Sequence, residues 1–232
     1  LMARLHEQLQ GKLRDRRLAR ISTGNLGQAY AALGRVEDAI GCYEHALASA
    51  REEENRQAEG VWLGALGLAY SDLGRIAEAL DCYEQALTIA REIGDRRSEG
   101  AWLGNLGLAY SDLGRIAEAI DCYEQALTIA REIGDRRGEG NHLDSLAEAL
   151  LAQGDLAPAL TRAQESVRIA GELAAPDLAS YAGTTLALIH ASAGDFAAAL
   201  AAAETACAHA CPLNAAAAHA LRGSAAWRLG RV

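Results

Sequence analysis

Apolar residues recur along this chain at three- and four-residue spacings and are grouped in blocks of about seventeen. In residues 97–113, Leu103, Leu106, Tyr110 and Leu113 form one stripe. In residues 116–133, Ile116, Ala119, Ile120, Tyr123, Ala126, Leu127 and Ala130 form another. Each stripe is one face of an amphipathic helix. Gly114 stands between them, where the first helix must stop, and a left-handed stop is best tolerated by glycine. Gly134-Asp135 closes the second helix and offers Asp135 as N-cap of the next. Small Gly107 and Ala126 allow close approach of the paired helices, with Tyr110 and Tyr123 filling the space beside them.

This two-helix unit repeats. Residues 60–99 and 100–139 differ only at Val61/Ala101, Ala65/Asn105, Leu80/Ile120 and Ser98/Gly138. The 40-residue frame decays outward through Leu26, Gly27, Tyr30, Gly34, Ala39 and Tyr43 on one side and Leu143, Leu146, Gly154, Ala159, Leu186, Gly194 and Ala199 on the other. A helix pair of this kind cannot bury its own apolar faces, so neighbouring repeats supply the missing core. The chain is predicted to be all-α, a single array over residues 1–232. Its full repeats are 20–59, 60–99, 100–139, 140–179 and 180–212. Residues 1–19 form the second helix of an incomplete repeat, and 213–232 the first helix of another.

The run Leu106-Gly107…Tyr110…Gly114…Ala119…Tyr123…Ala126-Leu127 resembles the tetratricopeptide-repeat (TPR) consensus. The 40-residue period and the Ile-Ala-Arg-Glu-Ile-Gly-Asp-Arg ending resemble a narrower set: Pins/LGN adaptors, kinesin light chains and the C-terminal arrays of bacterial STAND signalling proteins. The resemblance covers nearly the whole chain. It implies a right-handed α-solenoid of stacked antiparallel helix pairs, the TPR superhelix. The consensus tryptophan position holds Leu63 and Leu103, with Trp62 and Trp102 one residue earlier, expected between repeats. Ala163 and Ala203 replace the second-helix tyrosine, which predicts looser packing there.

Composition narrows the function. The chain has 232 residues, half of them hydrophobic, and a net charge of −9, which argues against nucleic acid or an anionic membrane as the main partner. No apolar run reaches the roughly 20 residues of a membrane span, and Leu1 to Arg20 lack the zones of a secretory signal. A cytoplasmic location is expected. Cys42, Cys82 and Cys122 recur one repeat apart, roughly 10 Å in a stack, whereas a disulfide wants Cα atoms within about 7 Å. They read as packing residues, and Cys207 and Cys211 have no second pair with which to hold a metal. Arg96-Arg97 and Arg136-Arg137 read as solvated turns pairing with Glu99 and Glu139. The six histidines show no metal spacing and no nucleophile, and Gly104 and Gly107 follow no strand. No cofactor, metal or catalytic residue is predicted, and the chain is expected not to be an enzyme.

What remains is a surface. The resemblance implies that the first helix of each repeat lines a concave groove. Its inward positions would be Asn25, Gln28 and Ala32; Ala65, Leu68 and Asp72; Asn105, Leu108 and Asp112; Ser145 and Glu148; and Tyr181, Thr185 and Leu188. In the Pins/LGN and kinesin-light-chain types, asparagines matching Asn25 and Asn105 bind the backbone of an extended peptide, a task suited to a group that both donates and accepts. Here Ala65, Ser145 and Thr185 interrupt that stripe, and no lysines stand ready for a C-terminal carboxylate. Leucines among acids suit a ligand with apolar anchors and basic flanks. The expected function is a protein-interaction module for a peptide or protein, a scaffold or regulatory fragment of a larger signalling protein. The alternatives are a self-assembling structural array or the sensor segment of a STAND-type ATPase. The stripe Leu1, Leu5, Leu9, Leu13 and the last helix, about 213–229, with Leu213, Ala217, Leu221, Ala225 and Trp227, lack partner helices, which predicts homo-oligomer contacts through the ends.

Overall fold

The computed structural model describes residues 22–208 and 215–229. Eleven helices and no strand occur among them. Residues 22–32 are helical (α1), followed by α2 (Val36–Glu52), α3 (Arg56–Asp72), α4 (Ile76–Ile93), α5 (Arg96–Asp112) and α6 (Ile116–Ile133). Then come α7 (Arg136–Gln153), α8 (Leu156–Glu172), α9 (Pro176–Ser192), α10 (Phe196–Ala208) and α11 (Ala215–Arg228). From α1 to α10 only two or three residues join successive helices, and within each unit the helices in contact are joined by such short reversing turns. The stripe at 1–14, with Cys211 and Leu213, lies outside the described residues.

Contacts divide the chain into two compact units, Leu1–Ala109 and Tyr110–Val232. In the first, α2 packs on α3 and α3 on α4. Its core joins Tyr43, Leu47, Trp62, Leu63, Leu66 and Ile89, with Trp102 packed against them. Trp62 stacks on Tyr43 with ring centroids 6.1 Å apart, and Trp102 on Tyr83 at 6.3 Å. The tryptophans thus fill the space between repeats, as their position before the buried leucine predicts. Each indole lies over a glycine of the preceding odd-numbered helix, Trp62 over Gly24 and Trp102 over Gly64. Tyr43 and Tyr83 close on Gly27 and Gly67 in the same way.

In the second unit, α6 to α11 pack each on the next, and α7 touches α9 as α9 touches α11. The core begins with Tyr123, Leu127, Leu143, Leu146, Ile169 and Leu178. Where alanine replaces the second-helix tyrosine, the facing glycine has become alanine too. Ala147 and Ala163 share one fully buried cluster, and Ala187 and Ala203 share another. The paired change adds one methyl and removes a phenol ring, and all four alanines are fully buried.

Local turn chemistry follows the frame. Asp135 caps α7 by accepting from the Gly138 amide at 2.9 Å. Gly94 and Gly134 end α4 and α6 with φ of 71°. The equivalent positions in the flanking repeats are Glu54 and Ala174, which keep the left-handed turn at φ of 52° and 49°. Leu113, the last member of its predicted stripe, is exposed.

The arginines at the junctions do more than pair in solvent. Glu59 is buried and held by Arg51 (2.9 Å) and Arg56 (2.6 Å). Glu99 is held by Arg91 (2.9 Å) and Arg96 (2.6 Å), and Glu139 by Arg131 (2.8 Å) and Arg136. Burial alone would raise all three carboxyls; the paired guanidiniums outweigh it and hold them below the usual range. Arg56 and Arg136 reach on to Glu92 and Glu172, one repeat further along. The expected pairs of Arg96 with Glu99 and Arg136 with Glu139 are present, but the glutamates, like Glu59, are buried clasps between helices and not parts of a solvated turn.

Candidate functional site

Each odd-numbered helix from α1 to α9 keeps a side open to solvent. In the first unit that side carries Asn25, Gln28, Ala32, Leu68, Asp72 and Leu108, all exposed, with Ala65 and Asn105 half-buried. Leu68 is 49 % and Leu108 53 % exposed, one repeat apart and each on its own helix. In the second unit Asp112, Glu148, Tyr181 and Leu188 are exposed and Ser145 is half-buried.

Thr185 departs from the expectation. It is 1 % exposed, and its hydroxyl points to Glu148 Oε1 at 3.2 Å and to the Tyr181 carbonyl at 3.3 Å. It sits behind the surface because α7 and α9 are in direct contact.

Sequence reasoning missed Asp144, whose environment is set by the same contact. It is 8 % exposed, and its Oδ1 is buried without a hydrogen-bond partner. Burial pushes its pKa up to about 7, the neighbouring Glu148 carboxylate adds to the rise, and Thr185 opposes it. Glu148 is accessible from the surface, yet its carboxyl turns in towards Thr185, where burial raises its pKa as well. A signal for Asp144 was present in the repeat alignment. Its frame position is Gly24, Gly64 and Gly104 in earlier repeats, and the position of Trp62 and Trp102 is Ala182 in the next. With no indole to cover residue 144, a carboxylate is accommodated there.

Cys42, Cys82, Cys122 and Cys207 are in no disulfide, and Cys82 and Cys122 are buried. Among the described residues no group of three or more His, Cys, Asp or Glu is placed to hold a metal. Among them also, no helix is long and apolar enough to cross a membrane.

Helix pairs in a 40-residue frame, sealed by Gly–Trp and Gly–Tyr contacts and open on one side, define a helical-repeat solenoid. The tetratricopeptide-repeat profile matches residues 17–92 and 98–172, and a second such profile residues 184–232. The chain belongs to the tetratricopeptide-repeat family. Its fold is similar to a putative kinesin light chain of P. anserina, at 22 % identity over 84 % of this chain and 95 % of that one, TM-score 0.69. It is also similar to a signal transduction ATPase with numerous domains (STAND) from Pyrococcus horikoshii that has a tetratricopeptide repeat sensor, at 18 % identity over 96 % of this chain and 34 % of that one, TM-score 0.77. A third is the apo quorum sensor NprR of B. thuringiensis, at 18 % identity over 99 % of this chain and 66 % of that one, TM-score 0.72. No curated protein matches the chain by sequence. Tetratricopeptide repeats generally mediate protein–protein interaction and are typically non-catalytic.

Proposed function

We propose that this chain is a non-catalytic docking module that receives a peptide or protein segment on the open side of its odd-numbered helices. The observation that carries this reading is the pair Leu68 and Leu108, about half exposed on a side whose other residues are polar or alanine. Exposed leucines at a repeat's spacing offer apolar anchors, while Asn105 beside them supplies both a donor and an acceptor for an extended backbone. A few such anchors dominate the affinity of small interfaces.

The test begins with peptides selected from a random display library against the whole chain. Leu108→Ala is expected to weaken the selected peptides about tenfold, equivalent to about 1.4 kcal/mol. Asn105→Ala should weaken them by a similar factor. Unchanged affinity in both variants would remove this side as the docking surface.

A sensor role within a larger signalling protein is a second reading. The similarity to the STAND protein with a tetratricopeptide repeat sensor supports it.

A further inference from the structure

Among the described residues, buried carboxylates follow a rule with one departure. Glu59, Glu99 and Glu139 each lie between two arginines. Asp144 is equally buried and has none: the charge acting on it is the like charge of Glu148. The two acids stand four residues apart on α7, so they share one face of the helix.

Donors are short as well. A carboxylate pair presents about eight lone-pair sites. The single Thr185 hydroxyl hydrogen is contested by Glu148 Oε1, the Tyr181 carbonyl and Asp144. Asp144 Oδ1 is left without a partner. Glu148 is the outer acid, reachable from solvent, and Asp144 the inner one.

Resting on the docking function proposed above, we infer that Asp144, Glu148 and Thr185 form a subsite for one basic side chain of the partner, arginine before lysine. A guanidinium supplies what the site lacks: a positive charge against two like charges, and a planar fork of donors that bridges two carboxylates. An ammonium ion supplies the charge without the fork. The protein uses the same solution within its own fold at Glu59, Glu99 and Glu139. Here the arginine comes from outside.

The test titrates N-acetyl-arginine methylamide into the whole isotope-labelled chain at pH 8, followed by amide NMR. Saturable shifts are expected at residues 144–148 and 181–185, with a Kd of about 1 mM for a probe of this size. The lysine analogue should bind several-fold more weakly, and the isosteric, uncharged citrulline analogue should cause no saturable shift. Asp144→Asn and Glu148→Gln should each weaken the arginine probe at least fivefold, and together abolish its binding. Glu148→Gln alters an exposed residue, so it decides the matter even where Asp144→Asn perturbs folding. Equal shifts from citrulline, undiminished binding to the double variant, or a preference for Ca2+ or Zn2+ over arginine at these residues would overturn the subsite. The probe is a single residue and does not depend on Leu68 or Leu108. Library peptides weakened by Leu108→Ala but indifferent to arginine-to-citrulline exchange would leave the docking surface standing and remove the subsite. Arginine binding without any selected peptide would do the reverse.

Discussion

Trp102 lies so close over Gly64 that a methyl group there would stand 2.0 Å from indole Cη2. The two residues are 38 apart in sequence and belong to successive odd-numbered helices, so the contact is a register mark between repeats. Gly64→Ala is therefore expected to cost about 1–3 kcal/mol by overpacking, since the ring is pinned against Tyr83. Thermal unfolding would show the loss. Trp102→Ala on the Gly64→Ala background should recover part of it, because the corresponding pair in the frame, Asp144 and Ala182, dispenses with the indole.

The left-handed turns give a pair of opposite effects. Ala174 carries φ of 49° at a position that is glycine in two other repeats. Ala174→Gly should stabilise by up to about 1 kcal/mol by relieving that strain, and Gly134→Ala should destabilise by about the same amount. Urea titrations of the two single variants would measure both. A loss of stability in Ala174→Gly would mean that the alanine is unstrained.

Asp144 predicts a pH dependence. Its folded pKa, about 7, lies above the ordinary carboxylate range, so folding takes up a proton. The stabilising contribution of the protonated form is complete at about pH 4 and is lost as the pH rises through 7. Asp144→Asn removes that loss. Relative to the unaltered chain, the variant should gain about 2 kcal/mol or more between about pH 5 and pH 8, at about 1.4 kcal/mol per unit. Parallel stability curves across this range would refute the assignment.

The clasp at Glu139 has the opposite sign. Its carboxyl is held below the usual range between Arg131 and Arg136, so its contribution is present above the unfolded carboxylate pKa. The contribution disappears as acid titrates the folded group. Glu139→Gln should cost about 1–3 kcal/mol at neutral pH, because the two guanidiniums lose the negative charge and one of the two oxygens that accept from them. In chemical denaturation the gap between variant and parent should close on acidification.

Cys82 offers a check on packing. Burial, with Asp81 nearby, pushes its thiol up to about 11. In the native chain at pH 8 it should react with a thiol reagent far more slowly than in urea, since the thiolate is the nucleophile. Equal rates would place Cys82 outside the core.

The helices and their order could be read from the chain because their causes are local. Stripes at three and four residues set the faces, Gly94 and Gly134 end helices where φ must be positive, and Asp135 caps the next. The 40-residue repetition then required each pair to find its core in a neighbour. The exposure of Leu68 and Leu108 was implied by the family resemblance and not by that local pattern. The burial of Glu59, Glu99, Glu139 and Thr185 followed from neither, nor did the orphaned oxygen of Asp144. Those states are set by side chains tens of residues away that reach across from another helix, as Thr185 reaches Glu148. A local pattern assigns a residue to a helix face. Whether that face meets water, an arginine or a second acid depends on what the adjoining repeat brings to it, and only the packed structure decides that.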